Sequence, residues 1–143
     1  MNMSFQEKSI WISLVVTTII FGYYFVKAFD VFLNPFSNNP GLVSLLMGVV
    51  ILTIIVEIIL QTILSIFSKK EASAGNDERD KIIKFKSFRI SYFILIFGAW
   101  VAVISLLVPK STTLFMANII IFFSILSELF GFVTQLIYYR RGV

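Results

Sequence analysis

Long apolar segments alternate with short polar ones along the whole chain. A helix needs about 20 consecutive apolar residues to cross a bilayer, and four segments have that length. They lie at about residues 10–31, 42–67, 88–108 and 114–139. The pattern predicts an all-α membrane protein with four transmembrane helices in a single domain, residues 1–143.

The breaks between the segments indicate how the helices are paired. Turn-forming residues separate the first two segments (NPFSNNPG) and the last two (VPKST), whereas a longer polar loop, residues 68–87, joins the two pairs. Short connections join antiparallel neighbours, so the sequence predicts two helical hairpins.

Composition supports the membrane assignment and excludes several kinds of chemistry. Hydrophobic residues make up 58% of the chain and charged residues 14%, with a mean hydropathy of +0.93, far from the balance of soluble domains. Cysteine and histidine are absent, which excludes disulfides, thiolate catalysis, the usual zinc sites and Ser-His-Asp triads. We therefore expect no catalytic residue, cofactor or metal, and we expect that the protein is not an enzyme.

Basic residues predict the orientation. Of the 12 lysines and arginines, all but Lys27 and Lys110 fall before the first segment, in the central loop, at the very start of the third segment (Arg89) or after the last segment. Positive charge accumulates on the cytoplasmic side, so we expect both termini and residues 68–87 to be cytoplasmic in a prokaryotic membrane. The net charge of +4 is explained by this orientation, and we expect no nucleic acid partner.

A short repeated motif accompanies the two hairpins. KSIWIS, residues 8–13, opens the first segment and KSFRIS, residues 86–91, opens the third. A repeat of this kind would relate the two hairpins by an axis along the membrane normal. Chance similarity in an apolar chain is the alternative.

Two glutamates lie inside apolar segments. Glu57 and Glu128 each precede the predicted cytoplasmic end of a helix by about ten residues, or about 15 Å at 1.5 Å per residue. Both share a helix face with polar or small residues, among them Gln61 and Gln135, and charged groups at this depth face protein rather than lipid. We interpret Glu57, Gln61, Glu128 and Gln135 as a candidate site for a proton, a cation or a substrate.

The same glutamates admit three interpretations. They could fix helix register through hydrogen bonds across the bundle. They could form a proton or cation site, because two neighbouring carboxylates do not readily ionise together. They could also mediate contact between protomers of a homo-oligomer.

The charged loop and the C-terminal tail form a second candidate region. Acidic residues at the start of a predicted helix complement its dipole, and the sequence predicts that this helix runs without interruption into the third segment. An anchored entry helix is one interpretation, and contact with a cytoplasmic protein is the other. The candidate partner contacts are Asp77, Glu78, Arg79, Asp80, Arg140 and Arg141.

The motifs GNDERDKII and QLIYYRRGV, with the glutamate of the second segment, resemble a family of small four-helix prokaryotic membrane proteins of unknown function. Its members are often encoded beside helix-turn-helix regulators, which implies a role in a stress or regulatory circuit. A histidine often follows the family's glutamate by four residues, but Gln61 stands there in this chain, which speaks against metal binding.

The sequence thus predicts a small protein that is embedded in the lipid bilayer and acts as a proton- or cation-linked transporter or channel. The alternative is a regulatory or scaffold protein that acts through residues 68–87 and its tail. A lipid-modifying enzyme ranks lowest, because no nucleophile with an activating base is visible.

Overall fold

The computed structural model describes residues 3–34, 36, 39–68, 78–109 and 112–141. Four long helices make up nearly all of this part of the chain: α1 (Phe5–Leu33), α2 (Gly41–Phe67), α3 (Glu78–Ile104) and α4 (Thr113–Arg141). A 3₁₀ turn, Ser105–Leu107, extends α3, and the described residues contain no strand. Each helix is long and apolar enough to cross a membrane, which confirms the all-α four-helix prediction.

The helices pack as two antiparallel hairpins. In the first hairpin α1 packs against α2, and in the second α3 packs against α4; the contact between α1 and α4 joins the two. Along the packing order α2, α1, α4, α3, the outer helices are α2 and α3. We call the end where α1 and α3 begin the terminal end, and the end where each hairpin turns the turn end.

Helix α1 begins five residues earlier than predicted because of a local capping interaction. Ser4 Oγ accepts a hydrogen bond from the Glu7 backbone N–H at 3.2 Å, and the Glu7 carboxylate accepts one from the Ser4 N–H at 2.9 Å. This reciprocal pair satisfies two N–H groups at the helix start. Hydropathy alone does not register it, because both residues are polar.

Helix α3 confirms the uninterrupted entry into the third span. It begins at Glu78, ten residues before the predicted apolar segment, with Glu78 and Asp80 in its first turn. Residues 78–87, which form the second half of the predicted loop, are therefore helical. Asp77 and the residues expected to cap this helix lie outside the described residues.

The main apolar core lies toward the turn end of the first hairpin. Tyr24, Ala28 and Val31 of α1 pack with Leu42 and Val49 of α2. Leu42 and Val49 are the buried residues of α2, so most of its isoleucine and leucine side chains lie on the outer surface. An outer surface of this kind suits contact with lipid.

Candidate proton and cation site

A chain of side-chain hydrogen bonds links α1 and α2 in the terminal half of the first hairpin. Ser13 Oγ donates to Glu57 Oε2 at 2.9 Å, and Gln61 Nε2 donates to Ser13 Oγ at 3.2 Å. Ser9 Oγ donates to Gln61 Oε1 at 2.8 Å. Four polar side chains thus form a continuous path from Ser9, one turn inside α1, to Glu57.

This path is partly sheltered. All four side chains are half-buried, and Gln61 also donates to the Ser9 carbonyl at 3.3 Å. Glu57 lies about ten residues before the end of α2 at Phe67, or about 15 Å along the helix. Glu57 and Gln61 therefore lie on one face of α2, and both side chains contact α1.

The second hairpin places its glutamate differently. Glu128 is exposed and lines a groove between α3 and α4 with a volume of about 440 Å³. Within the described residues, Glu128 makes no hydrogen bond. Gln135 and Lys84 line the same groove toward the terminal end, so the second pair of predicted site residues shares one surface.

Close contact between α3 and α4 forms the floor of this groove. Gly131 is buried against Ser91, whose Oγ would lie 2.5 Å from a Cβ placed on the glycine. Ser127 Oγ donates to the Ser91 carbonyl at 2.7 Å. A Cβ on Gly98 would collide with the Phe123 side chain. Small residues allow this approach, and it leaves Glu128 at the edge of the interface rather than inside it.

No hydrogen bond joins the two glutamates within the described residues. Glu57 accepts a hydrogen bond from Ser13 of α1, whereas Glu128 lines the groove between α3 and α4. The structure therefore brings Glu57 together with Gln61, and Glu128 together with Gln135. Glu57 is half-buried against α1, whereas Glu128 is exposed at its groove.

The turn end of the α1–α4 interface is apolar and aromatic, and it contains a cavity of about 360 Å³ lined by phenylalanine side chains. Tyr24 is buried and donates from its hydroxyl to Asn118 Oδ1 at 2.7 Å. The Phe122 ring packs edge-on against Phe25, with centroids 5.3 Å apart, and lies 6.0 Å from Phe32. The polar path and the groove accordingly belong to the terminal half of the molecule.

The charged region contacts the end of α4. Asp80 Oδ1 accepts a hydrogen bond from the Tyr139 hydroxyl at 2.6 Å, and Arg79 donates to the Tyr139 carbonyl at 3.2 Å. Two predicted partner contacts therefore hold the start of α3 to the end of α4. Glu78, Arg140 and Arg141 are exposed at this end, and Asp77 lies outside the described part of the chain.

Sequence reasoning missed several polar residues in these interfaces. Ser9 and Ser13 were noted only as members of the repeated motif, although their spacing of four places them on one helix face. Asn118 and Ser127 are buried in α4. One signal in the sequence could have identified all of these residues. Each is a polar residue in an otherwise apolar helix, at a spacing that places it on the face with other polar or small residues.

Among the described residues, no group of three or more acidic side chains could hold a metal ion. The chemistry available is that of two carboxylates, their amide and hydroxyl neighbours, and Lys84. No protein-family model, curated protein or solved structure matches this chain. The family resemblance of the charged motif and the tail therefore stays a prediction, and any function is argued from the site.

Proposed function

We propose that this small integral membrane protein is a proton- or cation-linked transporter or channel that uses Glu57 and Glu128. The observation that carries the proposal is the hydrogen-bonded path Ser9, Gln61, Ser13, Glu57, which leads from the terminal end to a carboxylate. Ionisable groups within a membrane protein mark the pathways of ions and protons, and hydroxyl and amide groups can line such a route.

The second hairpin supplies a second carboxylate, Glu128. Glu57 accepts a hydrogen bond from Ser13, whereas Glu128 faces a groove. An arrangement of one partnered and one open carboxylate suits transfer between a sheltered position and an accessible one.

We also propose that the terminal end faces the cytoplasm. Arg79, Lys84, Arg140 and other basic residues gather there, as expected of an inside-positive protein. The polar path and the groove would then lie toward the cytoplasmic side, and the apolar turn end would lie on the opposite side. A protease added to right-side-out vesicles checks this orientation. A C-terminal tag inside the vesicles should be protected, and digestion of the tag would contradict the proposed orientation.

Proton flux into liposomes tests the function. Reconstituted protein should dissipate an imposed proton gradient, and Glu128→Gln and Glu57→Gln should each reduce the rate by at least about tenfold, since each replaces a carboxylate by a neutral amide. Asp30→Asn is the matched control, because Asp30 is exposed at the turn end of α1. Helical content and elution volume should be unchanged in all three variants. Undiminished flux in both glutamate variants would contradict the proposal.

The scaffold alternative ranks second on geometric grounds. Arg79 and Asp80 contact Tyr139 within the chain, which leaves fewer of the charged residues for a partner. Joint replacement of Asp77, Glu78 and Asp80 by alanine distinguishes the two functions. Loss of a co-purifying protein with unchanged flux would favour the scaffold role.

A further inference from the structure

The groove between α3 and α4 has the dimensions of a ligand site. Its volume of about 440 Å³ falls within the range of about 300–1,000 Å³ that small-molecule sites occupy. Phe88, Leu95 and Phe132 form apolar walls, and Phe88 is well exposed along the side of the molecule. A ligand could therefore enter sideways from the bilayer.

The polar groups of the groove are few and are arranged along its length. Glu128 supplies a carboxylate level with Gly131 and Ser91. Lys84 lies about two helical turns, or roughly 10 Å, nearer the terminal end. Ser124 and Ser127 line the groove but direct their hydroxyls to backbone carbonyls. Glu128 is thus the anionic group of the groove, and Lys84 is a cationic group nearer its terminal end.

We infer that this groove binds a hydrophobic organic cation, with Glu128 as its counter-ion. The inference rests on the proposed function, because the same carboxylate would carry the proton and the cation. A cation supplies a counter-charge at the level of Glu128, which Lys84 lies about two helical turns away from. The apolar body of the cation contacts Leu95 and the phenylalanine rings. Aromatic faces at Phe88 and Phe132 add cation–π attraction.

Other occupants match the groove less well. An anionic lipid could place its phosphate at Lys84, but its acyl chain would then run beside the Glu128 carboxylate and leave that charge without a partner. A neutral apolar molecule would likewise supply no counter-charge for the Glu128 carboxylate. A cation satisfies both the carboxylate and the apolar walls.

Binding of tetraphenylphosphonium to the full-length protein in lipid nanodiscs tests the inference. This probe is apolar, carries a fixed positive charge and has no proton to exchange. After subtraction of the binding to protein-free nanodiscs, equilibrium dialysis should show saturable binding of the cation. The protein-dependent binding of tetraphenylborate, an anion of the same shape, should be at least about tenfold weaker because it meets a carboxylate. Equal binding of the two ions would overturn the inference.

Two variants locate the site. Glu128→Gln should weaken binding of the cation by at least about tenfold, because the counter-ion is lost, whereas Asp30→Asn should bind as the wild type does. Ser124→Leu keeps Glu128 but fills part of the groove, so it should also weaken binding. Unchanged binding in either Glu128→Gln or Ser124→Leu would place the cation elsewhere and overturn the inference.

The outcomes separate this inference from the proposed function. A protein that moves protons in liposomes but does not bind tetraphenylphosphonium overturns the inference alone. A protein that binds the cation at Glu128 but moves no protons supports the inference and contradicts the proposed function.

Discussion

In the first hairpin Glu57 accepts a hydrogen bond from Ser13, whereas in the second hairpin Glu128 lies in an open groove beside Ser91. The comparison is informative because Ser13 and Ser91 end the two copies of the repeated motif. Each serine lies on the first helix of its hairpin and faces the helix that carries the glutamate. The two copies of the motif are similar in sequence, yet Glu57 is hydrogen-bonded in the first hairpin and Glu128 is open in the second.

The cause of the difference is the residue opposite the serine. Ser91 packs on Gly131, and Ser127 donates to its carbonyl, so α3 sits on the small-residue face of α4. Glu128 belongs to the edge of that face. In the first hairpin, Gln61 and Glu57 reach Ser13 with long side chains, and polar contact takes the place of close backbone approach.

Among the variants that test this difference between the hairpins, a substitution of Gly98 should have the largest effect on the free energy of unfolding. Gly98→Ala brings a Cβ against the Cβ of Phe123, an atom that the backbone fixes and that no side-chain rotation can move away. We expect the free energy of unfolding to fall by about 1–3 kcal/mol, the usual cost of overpacking.

Gly22→Ala is the matched control for this change. A Cβ on Gly22 meets nothing within 4 Å, so the better helix former should leave stability unchanged or raise it by up to about 1 kcal/mol. Unfolding in a mixed-detergent titration measures both variants. Equal stability of the two would show that α3 and α4 are not in close contact.

A smaller effect should separate the two serines of the motif. Ser13→Ala removes the donor to Glu57 and the acceptor for Gln61, so we expect a loss of about 1–2 kcal/mol. Ser91→Ala should change stability by less than about 0.5 kcal/mol, because its hydroxyl makes no hydrogen bond within the described residues. The same unfolding titration measures them. Equal losses would mean that the two hairpins hold their glutamates alike.

Much of the fold was predictable from the sequence. Four apolar segments of sufficient length, with turn residues between alternate pairs, determine the helices and their pairing. The unpredicted boundary at the start of α1 depends on Ser4 and Glu7, a local polar interaction that a hydropathy pattern cannot register.

The site was predictable only in part. Depth along a helix follows from residue counting, so Glu57 and Glu128 could be placed within the bilayer from sequence. Their surroundings depend on helix rotation, which the Gly98 and Gly131 contacts set for α4. Apolar residues cover nearly every face of these helices, so the pattern does not say which face meets a neighbour.

Thiol labelling tests the difference between the two glutamates most directly, because the chain has no cysteine. Glu57→Cys and Glu128→Cys are prepared separately, reconstituted in nanodiscs and treated with a small membrane-permeant maleimide. Glu128→Cys should react at least about tenfold faster, since its position opens to the groove while α1 covers the other. Equal rates, or faster reaction of Glu57→Cys, would contradict the account.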